Sequence, residues 1–198
     1  MTGLQPRYPM TVPSSTGSFD VRLMTADDEA VVLELAQSLP SRDLVFLPRD
    51  IRQPKVLSAW IRQIANGQIV SLLALRDGVV VGCSAVTCDP HSFSPHVGEL
   101  RVVLAPAARD QGIGRALIQE SFLVALSLQL EKLTARMTGD QQAAVVLFED
   151  MGFRAEALLR DHVRDDDGKS YDIVVVSMNV LANQAKRELY GMDGAAEE

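Results

Sequence analysis

The stretch Glu99–Leu117 reads ELRVVLAPAARDQGIGRAL and contains the clearest local pattern in the chain. An apolar run, Val102–Leu104, indicates a buried strand, and Pro106 marks a turn after it. Gly112 and Gly114 follow, at the first turn of a long predicted helix. Amides at a helix start are unpaired and carry partial positive charge, and glycines let an anion approach them closely. We therefore predict a strand, a turn and a helix whose start cradles a diphosphate.

Two other phosphate-binding patterns fit this sequence less well. A dinucleotide fingerprint needs G-x-G-x-x-G directly after its strand, but Leu117 stands at the third glycine position and residues 105–111 intervene. A Walker A loop would place a glycine at Val163, ahead of Gly168-Lys169-Ser170, and a helix after it, whereas a strand pattern follows. We interpret Gly168 as a hairpin-turn residue.

Hydrophobic periodicity before and after this stretch predicts that the chain forms a single α/β (α+β) domain. We expect a mixed central sheet of about seven strands and about four flanking helices, with a right-handed parallel crossover between the fourth and fifth strands. The predicted strands are residues 19–24, 69–75, 79–88, 97–104, 133–137, 153–163 and 171–180, and the predicted helices are residues 25–39, 54–66, 112–128 and 141–151.

The ends of the chain carry weaker patterns. Residues 1–18 contain prolines and no apolar core segment, so we predict a flexible N-terminal arm. The domain is expected over residues 19–182, followed by a tail at 183–198 that is able to form a short helix before Gly191. Nothing in the arm resembles a signal peptide.

Composition excludes several classes of protein. The net charge is −7, with 26 acidic and 19 basic residues and no basic block, which argues against nucleic-acid binding. The longest apolar runs are too short for a membrane span.

Cys83 and Cys88 lie five apart, on opposite faces of a predicted strand, so we expect two buried free thiols and a cytoplasmic protein. His91, His96 and His162 lack metal-ligand spacing, so no metal site is expected.

The stretch also resembles a known family. Arg109–Gly114 fits Q/R-x-x-G-x-G/A, the acyl-CoA motif of the GNAT N-acetyltransferase superfamily. The apolar strand before it, the helix that ends in Met151-Gly152-Phe153 and the opening Val21–Ala30 resemble further elements of that family. The resemblance extends from about Phe19 to Val180.

This resemblance implies two splayed parallel strands, Val97–Leu104 and Leu133–Met137, with the pantetheine arm of acetyl-CoA between them. The first strand would hydrogen-bond that arm, and the amides at the helix start would hold the diphosphate. Two positions depart from the family: Gln141 replaces a common asparagine, and Phe148 replaces a tyrosine that often protonates the leaving thiolate. The implied cofactor-binding residues are Val102, Val103, Leu104, Arg109, Asp110, Gln111, Gly112, Ile113, Gly114, Arg115, Gln141 and Phe148.

The resemblance also implies a catalytic residue, Glu99. It precedes Arg109 by ten positions, as a catalytic glutamate does in phosphinothricin-type and certain protein-lysine acetyltransferases. An alkylammonium has a pKa near 10.4, so an amine acceptor needs such a base at neutral pH. The alternative is a surface carboxylate, or an ion-pair partner for Arg101 on the same strand face.

The implied function is acetyl transfer from acetyl-CoA to a primary amine, on a small molecule or a protein, by direct attack. The acceptor wall would include Leu44, Phe46, Leu47 and Arg49. Two alternatives stay open: a non-catalytic CoA-binding sensor or regulatory module, which the loss of the tyrosine at Phe148 favours, and a transferase for longer acyl chains. Relatives are often dimers, so a homodimer is compatible with the resemblance.

Overall fold

Eight strands form one mixed sheet in the computed structural model, which describes residues 7–189 apart from the side chain of Arg187. The strands are β1 (Met10–Ser14), β2 (Gly17–Leu23), β3 (Ile69–Arg76), β4 (Val79–Thr87), β5 (Val97–Leu104), β6 (Lys132–Thr138), β7 (Arg154–Arg164) and β8 (Ser170–Asn179). The helices are α1 (Glu29–Ser38), α2 (Pro54–Ala65), α3 (Ile113–Ser127), α4 (Gln142–Asp150) and α5 (Val180–Leu189).

The order of the strands across the sheet is β1-β2-β3-β4-β5-β6-β8-β7. β5 and β6 are parallel neighbours joined through α3, and the other neighbouring strands are antiparallel. The Asp77-Gly78 turn between β3 and β4 has positive φ at both residues, as a two-residue hairpin of this kind requires. The predicted mixed α/β fold is confirmed.

Helices cover the two faces of the sheet in separate groups. Leu73, Cys83 and Val103 pack in one cluster with residues of α1 and α2. Leu72 and Leu100, one residue out of phase along their strands, pack in the other cluster with α3 and α4. This division follows from the alternation of side chains along a strand. No helix among residues 7–189 is long and apolar enough to span a bilayer.

The sheet gains one strand from the segment that we predicted as a flexible arm. Met10–Ser14 is the edge strand β1, and it pairs with β2. An edge position tolerates Pro13, and the strand's side chains are only partly buried, so its alternation is weak. Just before it, Arg7 and Tyr8 donate to the buried Glu120 of α3 at 2.7–2.8 Å, which anchors the start of the described chain.

A fifth helix also begins earlier than the predicted tail. α5 starts at Val180, directly after β8, where the Asn179 side chain accepts a hydrogen bond from the Ala182 amide at 2.8 Å. An asparagine that caps a helix start in this way ends the strand at residue 179. Residues 1–6 and 190–198 of the predicted arm and tail lie outside the described residues.

Candidate active site

β5 and β6 are paired over only the first half of their length. Their last parallel pair is Leu100 and Ala135. Beyond it, residues 101–104 still pair with β4, and residues 136–138 still pair with β8. Each strand is held on its outer side, so a gap opens between the carboxyl ends of the two strands. These are the splayed parallel strands that the family resemblance implies.

Main-chain groups of β5 face this gap. Ala105 donates its amide to the Val81 carbonyl of β4 at 2.9 Å. Because the direction of main-chain groups alternates along a strand, those of Val102 and Leu104 point away from β4 and into the gap. The Leu104 carbonyl also accepts a long hydrogen bond from Arg109 Nη2, at 3.5 Å. The edge of β5 therefore offers the main-chain groups of Val102 and the Leu104 amide to a ligand where β6 has diverged.

Two glycines shape the start of α3 for different reasons. Gly112 is the N-cap residue and has a φ of +83°, and a Cβ there would meet open space, so its backbone conformation alone favours glycine. A Cβ on Gly114 would lie 3.2 Å from Leu104 Cδ1 and 3.3 Å from Leu147 Cδ2. Gly114 therefore lets the helix start pack closely against β5 and α4.

The amides at this helix start are available to a ligand. The first main-chain bond of α3 runs from Ala116 to the Gly112 carbonyl at 3.0 Å. Within residues 7–189, the amides of residues 112–115 donate to no protein atom. Unpaired amides at the positive end of a helix fit a diphosphate.

The side chain of Gln111 is tied to the far strands of the sheet. Its Oε1 accepts from Thr16 Oγ1 at 2.9 Å and from Arg76 Nη1, and its Nε2 donates to the Ala107 carbonyl at 2.6 Å. Arg76 Nη2 also donates to Ser14 Oγ at 3.3 Å. The β1–β2 turn thus braces the helix start, through residues that the sequence analysis did not identify.

Both arginines of the predicted site form ion pairs with carboxylates. Arg109 Nη2 donates to Asp43 Oδ2 at 2.7 Å, on the loop between α1 and α2. Arg115 Nη2 donates to Asp150 Oδ2 at 3.0 Å, at the end of α4. Both partners of the Arg115–Asp150 pair are exposed, so that pair is weak, about 0–1 kcal/mol. In the other pair Arg109 is 43% exposed but Asp43 only 12%, so one side alone is open to solvent.

Glu99 lies on the face of the sheet that carries α1 and α2, together with Arg101 and Val103. Its Oε1 accepts a hydrogen bond from Arg101 Nε at 3.0 Å. Its Oε2 accepts none from the described part of the chain, and the side chain is 22% exposed. Glu99 pairs with Thr134 across the parallel ladder, at the base of the gap. One carboxylate oxygen thus has no protein partner among residues 7–189, beside the diverging strands.

A cavity of about 230 Å³ opens on the same face of the sheet. Arg101 and Val103 form its wall on β5, and Trp60 contributes from α2. Trp60 is fixed by a hydrogen bond from its Nε1 to Ser71 Oγ at 3.0 Å. Glu99 does not line this cavity itself; it is linked to the cavity through Arg101, which lines the cavity and donates to Glu99 Oε1.

The four residues predicted for the acceptor wall divide into two pairs. Leu47 and Arg49 line the cavity. Leu44 is buried in the cluster between the sheet, α1 and α2, and Phe46 packs against that cluster.

Three other predicted site residues have mainly structural contacts. Gln141 is the N-cap residue of α4, and its Oε1 accepts from the Thr138 amide at 3.3 Å. Phe148 is 7% exposed and packs edge-to-face against Phe153, with ring centroids 4.9 Å apart. Ile113 is fully buried in the α3 cluster.

The two thiols are free, as their spacing predicts, and Cys83 is buried whereas Cys88 is partly exposed. Burial raises the pKa of the Cys83 thiol to about 12. Burial and the nearby Asp89 also raise the pKa of Cys88. Neither thiol is a thiolate at neutral pH. Among residues 7–189, no group of three or more His, Cys, Asp or Glu side chains is placed to hold a metal ion.

Several solved structures share this fold. A GNAT-family acetyltransferase from Streptococcus pneumoniae superposes with a TM-score of 0.71 and 22% identity, over 81% of this chain and 99% of that one. The Salmonella typhimurium protein yncA, solved with its cofactor acetyl-CoA, gives 0.71 and 18%, over 82% and 94%. A GNAT superfamily phosphinothricin acetyltransferase from Sinorhizobium meliloti, solved with acetyl-CoA, gives 0.70 and 18%, over 85% and 89%. No curated protein sequence matches the chain significantly.

A family model also matches the sequence directly. The model of the Acetyltransferase (GNAT) family covers residues 35–153, more than half of the chain. The matched residues include the gap between β5 and β6, the start of α3 and the loop that carries Asp43. On that match, the chain belongs to the GNAT family of acetyltransferases.

Proposed function

We propose that this protein transfers an acetyl group from acetyl-CoA to a primary amine by direct attack, with Glu99 as the general base. The observation that carries the proposal is the position of Glu99. It lies at the base of the gap between β5 and β6, with one oxygen unpaired among the described residues, on the face that holds the cavity. Two solved structures of this fold hold acetyl-CoA, which supports that donor.

The donor side of the site is formed by backbone. The amides of residues 112–115 carry the partial positive charge that a diphosphate needs. The main-chain groups of Val102 and Leu104 offer hydrogen bonds to an extended amide-containing arm in the gap. When bound, acetyl-CoA supplies the activated thioester, and the chain positions that thioester between the strands.

The acceptor side requires a neutral amine. A primary ammonium with a pKa near 10.4 is almost fully protonated at pH 7, so a proton must be removed before attack. Glu99 Oε2 is the acceptor that we assign to this proton, directly or through one water. Arg101 holds the other oxygen at 3.0 Å and so fixes the direction of the carboxylate.

Direct attack also agrees with the state of the thiols. A covalent acyl-cysteine route would need a thiolate near the cavity, and Cys83 lines it. Burial raises the pKa of Cys83 to about 12, so that thiol stays protonated and unreactive. We therefore propose a single transfer of the acyl group from sulfur to nitrogen, without an acyl-cysteine intermediate.

The bonds and protons balance without a second acid. Glu99 takes one proton from the ammonium and releases it to solvent, and the neutral nitrogen then forms a bond to the acyl carbon. The carbon–sulfur bond breaks, and the second nitrogen proton goes to Glu99 as the amide forms. Phe148 has no proton to donate and lies 7% exposed in the core. A thiol of ordinary pKa near 8.5 leaves readily enough as a thiolate, so no tyrosine is required at that position.

The test is the variant Glu99→Gln, which keeps the shape and removes the base. We expect turnover with an amine acceptor to fall by about 100-fold or more, with the KM for acetyl-CoA unchanged. Glu131→Gln is the matched control, because Glu131 is exposed and its carboxylate has no partner among residues 7–189. Release of free thiol at pH 7 measures both variants.

Two results would contradict the proposal. Unchanged turnover in Glu99→Gln would remove Glu99 as the base. Binding of acetyl-CoA by the wild type without any acetylated product, across a broad amine panel, would favour a non-catalytic CoA sensor.

A further inference from the structure

We propose that the acceptor is a small apolar amine that also carries a carboxylate, and that Arg49 binds this carboxylate at the cavity beside α2. The inference rests on the proposed function, since it names the substrate class for the same site. Three features of the cavity support it: the charges of its wall, the unpaired state of Arg49, and its size and polarity.

The charged residues that line the cavity are both cations, Arg49 and Arg101. The positive charge of Arg101 is already neutralised by Glu99, whose Oε1 lies 3.0 Å from Arg101 Nε. Asp50 follows Arg49 in the chain, but it is bound by Arg52 Nε at 2.9 Å. The charge of Arg49 is therefore the one that a ligand in this cavity can complement.

Arg49 has no hydrogen bond and no ion pair within residues 7–189, and its side chain is exposed. This contrasts with Arg52, three residues later, which binds both Asp50 and Asp166. A free guanidinium presents a planar fork of donors that matches a carboxylate with two parallel hydrogen bonds. Because the unpaired guanidinium of Arg49 lines the cavity, the cavity favours an anionic ligand.

The same charges disfavour a polycationic acceptor. A polyamine or a lysine-rich peptide would bring further positive charges toward Arg49, which has no anionic partner within residues 7–189 to offset them. An amine with a carboxylate has both of its groups matched, the amine by Glu99 and the carboxylate by Arg49.

The size and apolar wall of the cavity define the rest of the acceptor. Its volume of about 230 Å³ lies below the roughly 300–1,000 Å³ of pockets for drug-sized ligands. Leu47, Ile51, Val56, Trp60 and Val103 supply an apolar lining. These features fit a molecule of amino-acid size with an aliphatic or thioether side chain, rather than a bulky antibiotic.

The test compares amines that differ only in the carboxylate. The probes are leucine with leucinol and methionine with methioninol, and spermidine is a fifth probe. We expect kcat/KM, measured by thiol release from acetyl-CoA, to be at least about 10-fold higher for each amino acid than for its alcohol. Spermidine should be the poorest acceptor.

Variants at Arg49 assign the effect to this residue. Arg49→Ala should lower kcat/KM for leucine by at least about 10-fold, to near that of leucinol, while kcat/KM for leucinol changes much less and the KM for acetyl-CoA is unchanged. Arg49→Lys should restore part of the preference, because it keeps the charge without the fork. Arg62→Ala is the control: Arg62 is exposed on α2 and does not line the cavity, so leucine turnover should not change.

The outcomes separate this inference from the proposed function. If leucinol or spermidine is acetylated as well as leucine, or if Arg49→Ala keeps the preference for leucine, the acceptor class is wrong and acetyl transfer still stands. If acetyl-CoA binds and none of the five amines releases thiol, while a broader amine panel also fails, the proposed function is wrong and the inference falls with it.

Discussion

Gly112 supports the helix start through its backbone conformation alone, which makes its role testable apart from packing. Its φ is +83°, and Gly168 in the β7–β8 turn has nearly the same φ of +81°, with open space at both positions. The two sites therefore impose the same strain on a side chain, and they differ in that Gly112 begins α3 beside the gap.

We expect Gly112→Ala and Gly168→Ala each to lower the free energy of unfolding by about 1 kcal/mol. Gly112→Ala should also weaken acetyl-CoA binding by about fivefold. The alanine makes the left-handed backbone at residue 112 unfavourable, so the free protein shifts its helix start, and binding must restore the strained conformation. Gly168→Ala should bind as the wild type does. Urea unfolding and calorimetry with acetyl-CoA measure the two effects. Equal acetyl-CoA affinity in all three proteins would contradict a role for residues 112–115.

Contacts between residues that are close in the sequence were predictable. Glu99 and Arg101 lie two apart on a strand, so their shared face and ion pair were predictable. The bracing of Gln111 by Thr16 was not predictable, because those residues are 95 apart in the chain and meet through the folded sheet. Alternation along one strand carries no information on which distant side chain lies opposite.

The loop between α1 and α2 is linked to the helix start through Asp43 and Arg109. If Arg109 contributes to phosphate binding, Asp43 competes with the ligand for it. We expect Asp43→Asn to tighten acetyl-CoA binding by about fivefold, for a half-exposed pair worth about 1 kcal/mol.

Asp140→Asn is the control for the loss of a negative charge near Arg42. Asp43 and Asp140 lie 3.8 Å and 4.0 Å from Arg42, but only Asp43 also pairs with Arg109. Calorimetry at low salt measures both variants, because salt screens the effect. Weaker binding in Asp43→Asn would mean that Asp43 holds Arg109 in place for the ligand.

The junction of β2 and α1 depends on Asp28. Its carboxylate accepts from Arg22 Nη2 at 2.6 Å and from the Thr25 amide at 2.8 Å. The Arg22 guanidinium, followed by the Thr25 amide, holds the pKa of Asp28 below its ordinary value of 3.8 despite burial. A carboxyl whose pKa is depressed by folding contributes its full stability above the unfolded pKa, and this contribution is lost as the pH falls through the folded pKa.

We therefore expect Asp28→Asn to lower the free energy of unfolding by about 2 kcal/mol at pH 7. The difference from the wild type should shrink as the pH falls below about 4. Urea unfolding at several pH values measures it, with Asp27→Asn as the control, because Asp27 is exposed and has no side-chain partner among residues 7–189. A difference that stays constant between pH 7 and pH 3 would contradict the ion pair's role.

Helices and strands with strong hydrophobic periodicity or clear turn residues were predictable from the sequence. The strand β1 and the helix α5, which were not predicted, have neither feature. The hairpin at Asp77-Gly78 and the helix after Gly112 follow from local sequence. β1 is an edge strand with a proline and little burial, so its stability comes from β2 and from the Arg7–Glu120 contact rather than from its own pattern. α5 has a polar sequence, and its start is set by the Asn179 cap at the end of β8.

For the molecule as a whole, the strand, turn and helix start of the proposed donor half were more predictable than the cavity of the proposed acceptor half. The strand, turn and glycines of the donor half are contiguous, so one motif describes them. The cavity draws residues from α2, the loop before it and β3–β5, so its size and charge depend on tertiary packing that no single segment encodes. Leu44, Phe46 and Leu47 all contact the core cluster, and of these three only Leu47 also lines the cavity, a difference that their spacing does not predict.

Amide hydrogen exchange with and without acetyl-CoA tests most directly whether the helix start and the edge of β5 hold the donor. We predict slower exchange at residues 112–115 and at Val102 and Leu104 when acetyl-CoA is present, with little change in the β7–β8 turn around Gly168. Acetyl-CoA binding with no added protection at residues 112–115, or no binding at millimolar acetyl-CoA, would contradict this assignment of the site.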